Sequence, residues 1–298
     1  MGERPAGGGG GGDTARRAGM MGASAKEARG PSRQSRAASL QAPEPAETLL
    51  VSDLHLSVER PAKLELFQEL LRAAVGRART LYVLGDLFEM WMGDDDLTPP
   101  HPVILAALAT ATSLGMQVFF MRGNRDFLVG ERFAAVTGCT LLPDLSVVEL
   151  EGRRALLCHG DSLCSSDRKY QVYRRCVDNP LFRGLFQVLP LRARLRCARG
   201  ARRKMANSER PRVDVDQVAV DRAMKAHGAR LLVHGHTHRQ GRHDFSLEGE
   251  SATRYVLGDW YRKDCVMVCR EGDMRMLRVR EYLDAAVADA TAGACVPA

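Results

Sequence analysis

The chain has 298 residues, of which 45% are hydrophobic and 27% are charged, ordinary values for a globular protein. This length accommodates one large α/β domain with an insertion, or two small domains. No apolar run is long enough to span a bilayer and no signal-peptide core follows Met1, so an integral membrane or secreted protein is not expected. The net charge of +7 favours an anionic partner: nucleic acid, a phosphorylated substrate or an acidic membrane surface.

The eight cysteines are scattered along the chain and form no Cys-x-x-Cys pair. A chain of this size does not need disulfide bonds to be stable. We therefore predict reduced thiols and a cytoplasmic location.

Residues 1–47 are rich in Gly, Ala, Arg and Ser and carry few large apolar side chains. Such a segment cannot bury enough apolar surface to offset its chain entropy, so we predict a disordered tail. A transit peptide, or a translated extension ahead of Met20 or Met21, explains the tail equally well.

Strands and helices are predicted to alternate from Thr48 onwards. Continuous apolar runs indicate buried strands, and apolar residues three and four positions apart indicate helices. The predicted strands are Thr48–Ser52, Leu81–Asp86, Gln117–Met121, Val147–Leu150 and Ala155–Cys158, and the predicted helices are Pro61–Val75, Pro102–Leu114 and Leu128–Val136. This alternation predicts a layered α/β domain.

Residues 165–225 interrupt the alternation and are predicted to form a helical cap inserted over the strand ends. The segment Leu181–Leu191 is strongly apolar, and a basic run follows it: Arg192, Arg194, Arg196, Arg199, Arg202, Arg203 and Lys204. The sheet then resumes with strands predicted at Leu231–Val233, Tyr255–Leu257, Cys265–Cys269 and Met274–Val279. The domain is predicted to span residues 48–285, and residues 286–298 are expected to be frayed.

Five predicted strands end in a turn that contains Asp, His or Asn. The residues concerned are Asp53, His55, Asp86, Asn124, His159, His236 and His238. One such residue is usually a turn former or a helix cap. Five turns that carry the same types of side chain instead indicate a metal site, because carboxylates and imidazoles suit Mn²⁺, Fe²⁺, Zn²⁺ or Co²⁺. Two such ions about 3.5–4 Å apart can hold the attacking and leaving oxygens of a phosphoryl transfer.

This set of motifs resembles the calcineurin-like metallophosphoesterases from about Thr48 to about Val279. The resemblance implies a four-layer α/β fold of the αββα type, with two metals at the shared edge of two sheets. It implies one metal held by Asp53, His55, Asp86 and His238, and another held by Asp86, Asn124, His159 and His236. Asp86 would bridge the two ions, and a hydroxide between them would be the nucleophile.

Arg125 follows the motif asparagine, at a position where the general family commonly carries histidine. Arginine cannot give up a proton, but its planar guanidinium can hold phosphate oxygens. Arg125 is therefore a candidate catalytic residue for a reaction whose leaving group is already a good anion, as when a pyrophosphate is split. A surface salt bridge to Asp126 is the alternative.

With Arg125 included, the longer strings Val51–Leu56, Leu84–Asp95, Arg122–Leu128 and His234–Arg239 resemble the UDP-2,3-diacylglucosamine diphosphatases of lipid A biosynthesis. The resemblance implies two Mn²⁺ per chain, attack at the α-phosphate, and UMP and 2,3-diacylglucosamine 1-phosphate as products. It also implies a peripheral place on the cytoplasmic face of the inner membrane. The implied substrate contacts are Asn124, Arg125, Asp167, Ser208 and His236. The chain departs from the family after Ser208, and its oligomeric state stays open.

The apolar segment of the cap either packs inside the protein or faces lipid, where the basic residues beside it would suit an anionic bilayer. Rival functions are another dimetal phosphoesterase acting on nucleotides or phosphoproteins, and a metal-poor scaffold. Nucleic acid is not expected, because no aromatic platform accompanies the arginines.

Glu89 and Asp94–Asp96 are interpreted as loop charges. Asp161 and Asp259 are predicted to orient ligand histidines or to cap turns.

Overall fold

Two β-sheets form the middle of the structure, a computed structural model that describes residues 46–206 and 214–294. The strands are β1 Glu47–Val51, β2 Ala78–Leu84, β3 Gln117–Met121, β4 Thr140–Leu142, β5 Ser146–Leu150, β6 Arg153–Cys158, β7 Leu231–His234, β8 Gly241–Leu247, β9 Glu250–Val256, β10 Cys265–Arg270 and β11 Asp273–Arg278. The helices are α1 Pro61–Ala74, α2 His101–Ser113, α3 Glu131–Thr137, α4 Arg168–Asp178, α5 Pro180–Val188, α6 Leu191–Ala206, α7 Gln217–Ala226 and α8 Val279–Ala294.

Each sheet has a parallel centre. The six-stranded sheet has the order β11-β10-β1-β2-β3-β4, and β1 to β4 run parallel. The five-stranded sheet has the order β5-β6-β7-β9-β8, with β6, β7 and β9 parallel. In open sheets of this kind the carboxyl ends of parallel strands gather functional residues at one edge.

Alternate residues of the central strands enter two different cores, as the two-residue period of a strand requires. Leu49 and Val51 pack with α1, α2, α3 and α8 on the outer face of the six-stranded sheet, whereas Leu50 faces the other sheet. The second core lies between the sheets and extends to α7 through Val220 and Met224. The layers are therefore helices, sheet, sheet and helix, and the predicted four-layer fold is confirmed.

The predicted segment 165–225 is helical and contains no strand within its described residues. Its last helix, α7, belongs to the outer layer, because Val220 and Met224 are fully buried against the five-stranded sheet. Among residues 46–206 and 214–294, no helix is both long and apolar enough to cross a membrane.

Two strands were not predicted, and both lie at sheet edges. β4 has only three residues, and β8 is mostly polar and exposed, so neither carries the apolar pattern of a buried strand. β1 begins at Glu47, which was predicted to be the last residue of the disordered tail and is instead a buried strand residue. Residues 1–45 of that tail lie outside the described residues.

The last helix extends into the segment that was expected to fray from residue 286. α8 continues to Ala294, and its Tyr282 hydroxyl donates to Glu47 at 2.8 Å. Arg77 also pairs with Asp289 at 2.9 Å. These contacts with the first strand and the turn before β2 hold the helix on the sheet, which local composition did not reveal.

Candidate metal centre

The ends of β1, β2 and β3 in one sheet meet the ends of β6 and β7 in the other. The backbone N–H of His236 donates to Asp53 Oδ2 at 2.7 Å, which joins the two sheets. His159 Nδ1 lies 2.8 Å from the carbonyl oxygen of Leu84, a second link of the same kind. Residues separated by up to 183 positions in the sequence thus surround one buried space.

Asp86 lies between two groups of donor atoms. Its Oδ2 is 3.8 Å from His55 Nε2, and its Oδ1 is 3.8 Å from His159 Nε2. On the first side, Asp53 Oδ1 lies 3.9 Å from His55 Nε2 and 3.3 Å from His238 Nε2. The two oxygens of one carboxylate therefore face different histidines, as a carboxylate shared by two cations requires.

Asn124 connects the donors on the second side. Its Oδ1 lies 3.1 Å from His159 Nε2 and 3.0 Å from His236 Nδ1. The two imidazole nitrogens are 3.3 Å apart. Three donor atoms from three strand ends thus converge near Asp86.

The donor atoms fit divalent cations. Asp53 Oδ1 and both ring nitrogens of His55 are buried without a hydrogen-bond partner among the described residues. Buried polar atoms are rarely left without a partner unless another ligand satisfies them. Donor atoms of Asp53, His55 and His238 lie within 4.8 Å of one another, and so do those of Asp53, Asp86 and His159. Carboxylate and imidazole donors at these separations suit Mn²⁺, Fe²⁺, Zn²⁺ or Co²⁺.

The turns that carry the donors have an unusual backbone. Positive φ angles occur at Asp53 (56°), His55 (48°), Asp86 (55°), His236 (68°) and His238 (59°). Asp and His tolerate this left-handed conformation better than most residues. The side chains at the strand ends are thereby turned towards the shared space rather than alternating across the sheet.

Gly85 and Gly235 are needed where the turns approach each other. Gly85 has φ +85°, and a Cβ there would lie 2.6 Å from His159 Nδ1. A Cβ at Gly235 would collide with Ser52 and Asp53. Both glycines therefore allow backbone and ligand side chains to pack closely.

Burial and the charges of neighbouring residues shift the pKa values of the predicted metal ligands. Burial raises the pKa of Asp86 well above its usual range. Burial alone would lower the pKa of His159, but the charges of Asp86 and Asp53 raise it to about 9. Burial lowers the pKa of His55 to about 3 and that of His236 to about 4. Without a cation, the centre keeps protons that a metal ion would displace.

Arg125 lies beside this centre. Its backbone N–H donates to Asp86 Oδ1 at 2.8 Å, and its Nε is buried without a hydrogen-bond partner in the described chain. Its charge is one of the causes, after burial, that lower the pKa of His55. The alternative salt bridge to Asp126 is not formed, because the Asp126 carboxylate accepts backbone N–H groups of Gly123 (2.7 Å) and Leu87 (2.8 Å).

Glu89, interpreted from the sequence as a loop charge, lies next to a predicted ligand. Its Oε2 is 3.6 Å from His55 Nδ1 and accepts a 2.6 Å hydrogen bond from the Tyr261 hydroxyl. Arg60 donates to the same oxygen at 3.4 Å and lies 4.0 Å above the Tyr261 ring. No local pattern marks Glu89, since its partners come from distant parts of the chain.

Asp259 and Asp161 have different partners. Asp259 Oδ2 lies 3.6 Å from His238 Nδ1, while Oδ1 accepts the backbone N–H of Tyr261, so it both faces a ligand histidine and caps a turn. Asp161 accepts the Tyr170 hydroxyl at 2.8 Å and is paired with Arg174. The Tyr170 ring lies 5.9 Å from His236, a neighbour that the sequence did not indicate.

Two of the predicted substrate contacts, Asp167 and Ser208, belong to the cap. Asp167 caps α4, where its side chain accepts the Tyr170 backbone N–H at 3.0 Å. Ser208 lies outside the described residues. The other three predicted substrate contacts, Asn124, Arg125 and His236, lie together beside Asp86.

The fold and this cluster of donors define a metal-dependent phosphoesterase, and the comparisons agree. Residues 47–240 match the family Calcineurin-like phosphoesterase, and the chain belongs to that family. The curated proteins that it resembles include UDP-2,3-diacylglucosamine hydrolases. One from Aeromonas salmonicida (strain A449) is 45% identical over 233 residues, which cover 77% of this chain and 92% of the relative.

Two further relatives bear the same name. A Pseudomonas putida protein is 46% identical over 219 residues, 72% of this chain and 91% of the relative. An Escherichia coli O6:K15:H31 protein is 43% identical over 234 residues, 77% of this chain and 98% of the relative. A solved archaeal phosphodiesterase is 12% identical and covers 78% of this chain and 98% of its own, with a TM-score of 0.39, and adds nothing to the family assignment.

Proposed function

We propose that this chain hydrolyses the pyrophosphate bond of UDP-2,3-diacylglucosamine, with UMP and 2,3-diacylglucosamine 1-phosphate as products. The observation that carries the proposal is a single cluster in which six donor residues lie on the two sides of a seventh, Asp86, with Arg125 beside it. The names of the curated relatives supply the substrate.

Two cations would be held by the two groups of donors. Asp53, His55, Asp86 and His238 would hold one, and Asp86, Asn124, His159 and His236 would hold the other. When bound, such a pair supplies an acidified water as the nucleophile and neutralises phosphate charge. Mn²⁺ is the ion we propose, because the resemblance to the UDP-2,3-diacylglucosamine diphosphatases implies it and the mixed oxygen and nitrogen donors suit it.

Arg125 would hold the phosphate oxygens whose charge increases in the transition state. Its guanidinium keeps its proton, so it stabilises charge and does not act as a general acid. A pyrophosphate suits such a site, because the departing phosphate is a stable anion that needs no proton from the protein. His236 and Asn124 would contact the same phosphate from the other side of the centre.

The cap would hold the lipid portion of the substrate and rest on an anionic membrane surface. In α5, Leu181, Leu185 and Val188 are 82%, 74% and 81% exposed, and they lie on one face of the helix. An exposed apolar face of this kind marks a surface for lipid or for another protein. The adjoining α6 is rich in arginine, which favours anionic lipid.

The direct test is an assay of the purified full-length chain with Mn²⁺ on dispersed UDP-2,3-diacylglucosamine, with UMP release as the measurement. UDP-glucose and a soluble nucleotide diester are the control substrates. We expect UMP from the lipid and little product from either control. Equal turnover of the soluble nucleotide would indicate a general phosphoesterase instead.

A further inference from the structure

A cleft of about 650 Å³ lies between α4 and α7, on residues that the metal centre does not use. Three arginines line it: Arg168 and Arg175 on α4, and Arg222 on α7. The other polar lining residues are Ser162, Ser165, Gln171 and His227, and no Asp or Glu is among the lining residues that the structure describes. We call this feature the arginine cleft.

The three arginines have no ion-pair partner in the described part of the chain, although the charge of Arg222 contributes, after the hydrogen bond from Ser165, to lowering the pKa of Asp216. By contrast, Arg174 on α4 pairs with both Asp144 and Asp161. The neighbouring carboxylate of Asp216 accepts Ser165 Oγ at 2.6 Å and the Val218 N–H at 3.0 Å, so it is committed to capping α7. Several positive charges around one concave surface attract an anion.

A hydroxyl in the same cleft lacks a partner. Ser162 Oγ is buried and forms no hydrogen bond with the described residues, while Gln171 is engaged with the carbonyl oxygens of Asp161 and Cys164. A buried hydroxyl without a partner indicates that a ligand or water satisfies it. Apolar side chains, among them Leu163 and Ala223, also line the cleft beside these polar groups.

The cleft and the metal centre lie on different faces of α4. Arg168, Gln171, Val172 and Arg175 follow the three- and four-residue spacing of one helix face and line the cleft. Tyr170, on another face, approaches His236. A ligand in the cleft is therefore separated from the reacting phosphate by the helix.

We propose that the arginine cleft binds a phosphate ester, the group that nucleotides and anionic lipids share. Arginine forks bind phosphate oxygens through paired hydrogen bonds, the free Ser162 hydroxyl adds a donor, and the apolar lining accommodates the organic part of the ester. This site does not depend on the hydrolytic reaction proposed above.

The test compares two charge-matched variants of the full-length, Mn²⁺-loaded protein. The cleft variant carries Arg168→Gln, Arg175→Gln and Arg222→Gln. The control variant carries Arg72→Gln, Arg132→Gln and Arg278→Gln, which remove three exposed arginines elsewhere. One assay counts UMP bound per chain by equilibrium dialysis. The other measures sedimentation with phosphatidylcholine vesicles, with and without phosphatidylglycerol.

If the ligand is a free phosphate ester, the cleft variant loses one bound UMP that the wild type and the control retain. If the ligand is a lipid headgroup, the cleft variant binds phosphatidylglycerol vesicles at least about tenfold more weakly than the control. Equal behaviour of both variants in both assays would overturn the proposal. Thermal unfolding of each variant checks the fold, and Ser162→Val is the smaller variant if the triple change does not fold. UMP release from the dispersed lipid, measured separately, tests the hydrolytic function.

Discussion

At the scale of single residues, five of the seven predicted ligands adopt left-handed backbone conformations. Such a conformation costs about 1 kcal/mol or more for a residue with a side chain, and it persists only where the surroundings enforce it. Here the turns pack closely at Gly85 and Gly235, where a Cβ would collide with His159, Ser52 or Asp53. The donor atoms of Asp53, Asp86 and His159 lie within 4.8 Å of one another next to these turns.

Arg125 provides the most direct residue test of the proposed chemistry. Arg125→Ala should lower turnover on the lipid on the order of 10²–10³-fold, because a preorganised charge near the phosphate is removed. Metal content measured by elemental analysis should stay near that of the wild type, since the side chain is not among the proposed ligands. Arg132→Ala is the control. Unchanged turnover would exclude Arg125 from the reaction.

Glu89 should act as a positioning residue for His55. A carboxylate beside the second ring nitrogen of a ligand histidine orients the ring, and its loss typically weakens metal affinity about 10–100-fold. We therefore expect Glu89→Gln to weaken one of two Mn²⁺ sites by that factor in equilibrium dialysis. Glu149→Gln, at an exposed carboxylate of β5, is the control. If both variants bind Mn²⁺ like the wild type, the 3.6 Å approach to His55 has no positioning role.

Metal loading should depend on pH. Asp86 and Asp53 raise the pKa of the metal-free His159 to about 9, so this ring carries a proton at neutral pH. A metal ligand must be neutral imidazole, and loading therefore releases that proton. Affinity for Mn²⁺ should rise as the pH rises towards 9, by roughly tenfold per unit for each proton displaced. Calorimetry of EDTA-treated protein in buffers of different ionisation enthalpy would reveal the proton, and pH-independent affinity would contradict it.

At the scale of elements, the cap contacts the core through a buried arginine. Arg194 of α6 is only 2% exposed. It donates to the carbonyl oxygens of Met92 and Leu189 and to the Asp95 carboxylate. A buried guanidinium with three partners holds this helix on the loop after β2. The sequence suggested that the basic run of α6 faces a membrane surface. One member of that run, Arg194, instead attaches the cap to the core.

Removal of that anchor should loosen the cap and leave the sheets intact. Arg194→Met leaves two carbonyl oxygens and Asp95 without their donor, at a cost of about 2–4 kcal/mol. We expect faster hydrogen exchange in α5 and α6 and unchanged exchange in β1 to β3. The exposed neighbour Arg192→Met is the control. Uniformly faster exchange would mean that Arg194 supports the whole domain rather than the cap.

The exposed face of α5 can be tested in the same way. Leu181→Ser, Leu185→Ser and Val188→Ser together should reduce both lipid hydrolysis and vesicle binding, because apolar area for acyl chains is lost. Leu97→Ser, Leu114→Ser and Val136→Ser change exposed apolar residues outside the cap and serve as the matched control. If the two triple variants behave alike, the cap does not contact lipid.

At the scale of the whole molecule, the metal centre is an interface between two sheets. Hydrogen bonds from His236 to Asp53 and from His159 to Leu84 cross from one sheet to the other. Neither sheet alone contains a complete set of donors. The site should therefore form only when both sheets have packed, so that metal binding and folding stabilise each other.

The buried strands and their terminal Asp, His and Asn residues were predictable from local pattern, because a continuous apolar run and a turn former are properties of neighbouring residues. The helices α1 and α2 were predicted within one residue at each end for the same reason. Edge strands such as β8, whose residues are polar and exposed, carry no such signal.

By itself, the sequence determined which side chains could serve as ligands and that strands would deliver them to turns. Only the tertiary structure decided that Glu89 lies beside His55, that Asp126 binds backbone instead of Arg125, and that Arg194 is buried. The reason is physical. Tyr261 reaches Glu89 across 172 residues of sequence, and Arg194 reaches Met92 across 102. Contacts over such separations depend on how the sheets and helices pack, which no short stretch of residues encodes.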